Sequence, residues 1–246
     1  MLSKSEVKYI QSLHHKKFRD EEGAFIAEGN KVVMELLQSG QFVCEQLIGE
    51  QQWFQENEVL IKKHFAGTFQ EVKDFELQKI SALSTSSQTL AVFKKTQKKE
   101  IVVKGRITLL LDTIQDPGNL GTIIRIADWF GIAAIICSAD TVDQYNPKVV
   151  QSTMGSLARV NILYTDLLKW TAANATIKIY TAALHGKNVS ELKGLKEGFI
   201  VIGNESKGIS AELLQLATEK ITIPKIGNAE SLNAAVATGI ILSHLQ

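Results

Sequence analysis

Six polar residues follow the ends of apolar segments in the second half of the chain: Asn119, Arg125, Asn204, Glu205, Ser231 and Asn233. Their types suit orienting a hydroxyl group and a polar or cationic small molecule, and by themselves they name no reaction. Chemistry that needs other groups is poorly served. No G-x-G-x-x-G follows the first strand of this half, so the dinucleotide and Rossmann methyltransferase fingerprint is missing. Gly203 to Gly208 has the glycine spacing of a phosphate loop, but Ile209 stands where that loop needs its lysine. There is no G-x-S-x-G, and no Cys-His pair is suggested. The five histidines form no H-E-x-x-H or H-x-x-x-H pair, so no metal site is expected.

Positioning such residues takes a sheet with ordered loops, and the pattern from Ile107 onward predicts one. ITLLLD, AAIICS, a segment near Val160 to Leu163, IKIYTAAL, GFIVIG and ITIP read as strands. NLGTIIRIADWFG, a segment from Pro147, Thr165 to Ala173 and SAELLQLA read as helices between them. Apolar strands alternating with helices imply an α/β fold, a parallel sheet with helices on both faces. Ligands bind such sheets beyond the carboxyl ends of the strands. The polar, glycine-rich loops DTIQDPGNLG, LHGKN, GNESKG and PKIGNAESLN stand there. In the last of these Pro224 ends a strand, and the final helix is expected to open with Ser231-Leu232-Asn233. On this stretch alone, Glu230 or Ser231 reads equally well as a simple helix cap.

The first hundred residues alternate short strands and helices and predict a smaller α/β domain. A helix is expected from Ser3 to Lys17, a strand at Ala24 to Ala27, a helix from Asn30 closed by Gly40, and a strand at Phe42 to Ile48. Helices at Gln51 to Glu58 and Lys73 to Ala82 and a strand at Thr89 to Phe93 follow. The charged run KKTQKKEIVVKGR breaks the composition. The expected domains are therefore residues 1–98 and 107–246, joined by a linker at 99–106.

Apolar content of 45% and charged content of 22% are those of a globular protein, and the formal charge of +1 predicts no general attraction to polyanions. Any nucleic-acid binding must come from local patches, for which Lys16, Lys17 and Arg19 are candidates; an ordinary solvated helix end fits them equally. Cys44 and Cys137 lack ligand spacing and read as buried thiols of a reducing compartment. The N-terminus has no secretory core and no apolar run reaches transmembrane length, so a cytoplasmic protein away from membranes is expected.

Three blocks in order, DPGNLGTIIRIADWFG, FIVIGNESKGIS and ITIPKIGNAESLNAAVATGI, resemble the three motifs of the SpoU/TrmH family of RNA ribose 2′-O-methyltransferases in the SPOUT superfamily. KKFRDEEGAFIAEGNKVVMELL is similar to the family's substrate-binding domain, whose fold resembles ribosomal protein L30e. The resemblance implies a C-terminal trefoil knot, a homodimer through the knotted domain, and a ribosomal or transfer RNA substrate. It implies S-adenosyl-L-methionine as cofactor, held by backbone of Ala183, Leu184 and Gly186, of Ile202, Gly203 and Asn204, and of Ile223, Pro224 and Leu232. Arg125 matches the family's catalytic arginine. With a guanidinium pKa far too high for a base, it is expected to stabilise alkoxide charge while a phosphate or water takes the proton. Asn119 is expected to orient that arginine or the ribose, and as a residue type it also reads as an N-cap. Glu205 is expected to hold Arg125 or an RNA group, and Ser231 and Asn233 to position the target nucleotide or the cofactor's carboxyl end. Lys225 departs from a frequent methionine, Ser206 from a glycine and Ala235 from a serine. The competing expectation is an RNA-binding protein of this fold that has lost methyl transfer, against which Arg125, Asn119, Glu205 and Asn233 argue together.

Overall fold

The computed structural model describes residues 1–83, 85–96 and 100–245. The chain forms two compact units, Met1–Gln97 with Asp143–Arg159, and Lys98–Val142 with Val160–Gln246. The expected boundary between residues 98 and 99 lies outside the described residues, as does Gln246, the expected end of the second domain.

In the first unit the order is α1 (Lys4–Ser12), α2 (Lys16–Glu22), β1 (Ala24–Glu28), α3 (Asn30–Ser39), β2 (Cys44–Gly49), α4 (Gln51–His64), β3 (Phe69–Glu71), α5 (Asp74–Ile80) and β4 (Thr89–Lys94). The strands form one sheet in the order β1-β4-β2-β3. Ile10, Leu13, Ile26, Ile48, Leu77 and Val92 fill its core. Gly40 ends α3 in the left-handed region, φ +62°, where glycine carries no Cβ penalty.

The single helix expected over Ser3 to Lys17 is instead two, broken at Leu13 to His15. The buried Arg19 guanidinium donates to the Leu13 carbonyl (3.0 Å) and the His14 carbonyl (2.9 Å), acceptors that a continuing helix would use for itself. The same guanidinium holds Asp143 Oδ2 through Nε at 3.0 Å and Nη2 at 2.7 Å. Arg19 is thereby removed from any RNA-facing surface. Lys16 and Lys17 pair with Asp20 and Glu21 one turn on, as in an ordinary solvated helix. Removing one partner of a buried pair strands the other's charge. Arg19→Met is therefore expected to destabilise the protein by about 3–5 kcal/mol, read as a lower urea midpoint; an unchanged midpoint would show that the pair contributes nothing.

The second unit contains β5 (Ile107–Asp112), α6 (Pro117–Trp129) and β6 (Ala134–Cys137). Next comes α7 (Pro147–Thr153), within the segment that groups with the first unit. The remaining elements are β7 (Asn161–Tyr164), α8 (Leu167–Ala173), β8 (Ile179–Asn188), β9 (Gly198–Gly203), α9 (Ala211–Gln215), β10 (Glu219–Thr222) and α10 (Ala234–His244). Six strands lie in the order β10-β8-β9-β5-β6-β7, and every neighbouring pair is parallel. Leu110, Phe199 and Val201 pack with Leu167 of α8 and Leu213 of α9, while α10 packs on α6 and reaches β9. Ile101 and Val103, inside the expected linker, pack partly buried against this core.

Strand β8 runs further than its apolar stretch predicts. It pairs with β10 at Tyr180 and Thr181 and again at Lys187 and Asn188, with a register shift between. Residues 182–186 therefore leave the ladder as a bulge at the carboxyl end of the sheet.

Candidate active site

Every expected site residue lies in the second unit, in the carboxyl-terminal parts of β8 and β9, in the loops after β9 and β10, or in the helix α6 that follows β5. The strand order departs from β5 in opposite directions, to β6 on one side and β9 on the other. Such a reversal opens a crevice at the strand ends. The turns leaving β5 and β9 are stitched across it: Asn204 Nδ2 donates to the Thr113 carbonyl at 2.9 Å, and the Ser210 amide donates to the buried Asp112 carboxylate at 2.7 Å. Thr113 holds φ +61°, a costly conformation for a β-branched residue, and its amide donates to Ser138 Oγ at 2.9 Å.

Helix α6 is capped by Asp116, whose carboxylate accepts the Asn119 amide at 2.8 Å, with Pro117 in the first turn. Asn119 is thus inside the helix and is not its N-cap. Its side chain is left to make a lateral network. Asn119 Nδ2 donates to Glu205 Oε1, and Asn119 Oδ1 accepts from Asn233 Nδ2 at 2.8 Å. Asn233 Oδ1 accepts the Ala235 and Val236 amides at 3.0 and 3.3 Å and so caps α10. The final helix consequently starts after Asn233, and Ser231 and Leu232 precede it in an exposed loop.

This network has a direction. An ionised Glu205 accepts only, so it turns the Asn119 amide nitrogen toward itself and the Asn119 oxygen toward Asn233. The Asn233 oxygen is then free for the helix end. One carboxylate thereby orients two amides and ties the loop after β9 to the starts of α6 and α10. Glu205 is held by Asn119 and makes no bond to Arg125, one of the two partners expected for it, the other being an RNA group. The Arg125 side chain is exposed on α6 and makes no hydrogen bond or ion pair with the described residues. Ser231 is likewise exposed and unbonded among them.

Asn119→Asp tests the network. It would set two like charges face to face where an amide N–H now donates. Its melting temperature at neutral pH is expected to fall below that of the unaltered protein; an unchanged melting temperature would dismiss the network.

The segments expected to meet a ligand through backbone are closely packed. A methyl group on Gly203 would overlap the Gly208 carbonyl and the Ile209 amide, and one on Gly186 would overlap the Lys220 carbonyl. Asn204 and Gly208 exchange backbone bonds of 3.0 and 2.9 Å, and Asn204 Oδ1 accepts the Ser206 and Lys207 amides. Thr222 Oγ1 donates to the Leu184 carbonyl at 3.1 Å, joining the bulge that contains Ala183 and Leu184 to the strand leading to Ile223 and Pro224. Leu184 and Leu232 are 67% and 45% exposed, apolar surface that a bound molecule could cover. Asp112, Thr113 and Ser210 also build the site, and sequence reasoning missed them. Only Asp116-Pro117 carried a local signal, that of a cap and a first-turn proline.

Residues 106–243 match the SpoU rRNA Methylase family, and residues 4–91 match the MRM3-like substrate binding domain. Laid over the sheet and its loops, these matches define the class: an RNA methyltransferase with its own substrate-binding unit. The chain belongs to the SpoU rRNA methylase family. It is 32% identical over 250 residues to the 23S rRNA (guanosine(2553)-2′-O)-methyltransferase RlmP of Bacillus subtilis, covering 98% of this chain and 96% of that protein. The structure of a TrmH-family protein from Porphyromonas gingivalis superposes with TM-score 0.88 at 37% identity, over 99% of this chain and 98% of that one. The S-adenosylmethionine-bound rRNA methyltransferase of Sinorhizobium meliloti superposes with TM-score 0.86 at 29% identity, over 99% and 95% of the two chains.

Proposed function

We propose that this S-adenosylmethionine-dependent RNA 2′-O-methyltransferase acts on ribosomal RNA, with Arg125, Asn119, Glu205, Ser231 and Asn233 as its catalytic rim. The observation that carries the reading is the Asn233–Asn119–Glu205 network at the reversal of strand order, beside loops packed too tightly for side chains. Ribosomal RNA is favoured by the relatives whose full length the chain matches.

The cofactor suits this lining. With no side chain tolerated at Gly186 and Gly203, a ligand edge meets main-chain N–H and C=O groups. Ala183, Leu184, Gly186, Ile202, Gly203, Asn204, Ile223, Pro224 and Leu232 would hold it. When bound, S-adenosylmethionine supplies a methyl carbon on a positively charged sulfur. The remaining work falls to the protein: to align a ribose 2′-hydroxyl and to manage one proton. As the hydroxyl oxygen gives up its proton, negative charge gathers on it. The permanently protonated Arg125 donates to that oxygen, and water or a phosphate accepts the proton. Asn119 and Asn233, locked by Glu205, keep the loops around the nucleotide in one arrangement, and the Ser231 hydroxyl faces the RNA.

The segment after β10 threads the domain as a trefoil knot, supported by family membership. A homodimer forms through this domain, supported by Trp129 and Val236, 84% and 50% exposed on the paired helices α6 and α10. A cytoplasmic setting accords with a ribosomal RNA substrate; among the described residues no helix is long and apolar enough to cross a membrane.

The test is transfer of labelled methyl to ribosomal RNA from cells lacking the protein, followed by nucleoside analysis. A 2′-O-methylated nucleoside is expected. A base-methylated product would refute the ribose assignment, and no transfer would favour an RNA-binding protein without activity.

A further inference from the structure

The carboxylates on the site loops are mostly spent on the protein's own donors: Asp112 on Ser210, Asp116 on Asn119 and Glu205 on the Asn119 side chain. Among the cations Lys187 pairs with Glu219, but three others are unspent. Arg125, Lys207 and Lys225 are exposed, and none has a side-chain hydrogen bond or ion pair with the described residues. Lys207 sits in the tight turn after β9, whose backbone is fixed by Asn204 Oδ1. Lys225 follows Pro224 in a loop exposed at every residue from Pro224 to Asn233, a loop whose one carboxylate, Glu230, forms no pair with it.

We infer that Lys225 and Lys207 clamp backbone phosphates of the RNA strand beside the target ribose. This rests on the reading of the site as an RNA methyltransferase. A formal charge of only +1 on the whole chain leaves attraction for a polyanion to local cations. Two ammonium groups on separate loops, Lys207 two residues after Glu205 and Lys225 in the exposed loop that leads to Asn233, suit a strand with repeating charge better than a single carboxylate. The flexible stem and compact charge of lysine fit a phosphate contact, which positions the strand and carries no sequence information. Lys225 thus adds RNA grip to a loop whose neighbouring residues, Ile223 and Pro224, are assigned to the cofactor.

The experiment measures dissociation constants for an unmodified ribosomal RNA transcript over a range of salt, and separately for S-adenosylmethionine, with the full chain. Lys225→Met, which keeps the stem and removes the charge, is expected to weaken RNA binding roughly three- to tenfold at low salt and to reduce the slope of log K against log salt by about 0.7–0.9. Lys207→Met should do the same, the double variant should lose about twice that slope, and Lys225→Arg should restore it. Cofactor affinity should not move in any of them. An unchanged RNA slope in Lys225→Met overturns the inference, and so does a loss confined to cofactor affinity, which would assign the ammonium to the cofactor's carboxylate. Methyl transfer by the unaltered protein to the same transcript is scored separately. Its absence would count against the enzymatic reading while the slopes still report on the two lysines.

Discussion

Replacing Arg125 with alanine is expected to lower methyl transfer by about 10²–10³-fold while leaving the fold and cofactor affinity intact. The structure separates these effects. Arg125 lies in the middle of α6 with its side chain exposed and without a hydrogen bond or ion pair among the described residues, so its loss breaks no internal polar contact. Alanine is also the strongest helix former, so the backbone gains if anything. Arg125→Lys is expected to recover little, because an ammonium lacks the planar fork of donors that a guanidinium directs at an oxygen. Single-turnover rates with saturating RNA and cofactor would measure this. A rate within about threefold of the unaltered protein would remove Arg125 from the chemistry.

The second large effect is expected at a residue with no side chain. Gly203→Ala should reduce S-adenosylmethionine affinity more than 100-fold, roughly 3 kcal/mol or more, and destabilise the second unit by about 1–3 kcal/mol. The added methyl meets backbone on both sides, the Gly208 carbonyl and the Ile209 amide, and neither can rotate away as a side chain would. Relief requires opening the Asn204–Gly208 pair, which also pulls Asn204 from the Thr113 carbonyl and displaces Glu205. Gly227→Ala is the control, since a methyl there meets nothing. Equal cofactor titrations for the two variants would mean that the close packing at Gly203 does not shape the binding loop.

Much of this architecture is legible in the amino-acid sequence. Strands β5 and β9 announce themselves because both faces are buried, so their sequences are apolar without alternation. Gly40 and Pro147 mark a helix end and a helix start through backbone preferences that act within one turn. The departures share a different origin. The break at Leu13 to His15 depends on an arginine that also binds Asp143, 124 positions away. Strand β3, three residues at a sheet edge, is too short to show a period. The bulge in β8 is dictated by the Lys220 backbone against Gly186, which no pattern within β8 contains.

The site divides along the same line. Residue types, their order along the chain and, through resemblance to SpoU/TrmH motifs, the chemistry to which they belong can all be read from the sequence alone. Who holds whom is a matter of tertiary packing: Asp116 rather than Asn119 caps α6, Asn233 rather than Ser231 caps α10, and Glu205 orients two amides instead of gripping Arg125. The reason is physical. Burial and backbone preference leave periodic traces in a local stretch, whereas a hydrogen bond between loops depends on which strands end side by side. That adjacency is set by the packing of the whole sheet.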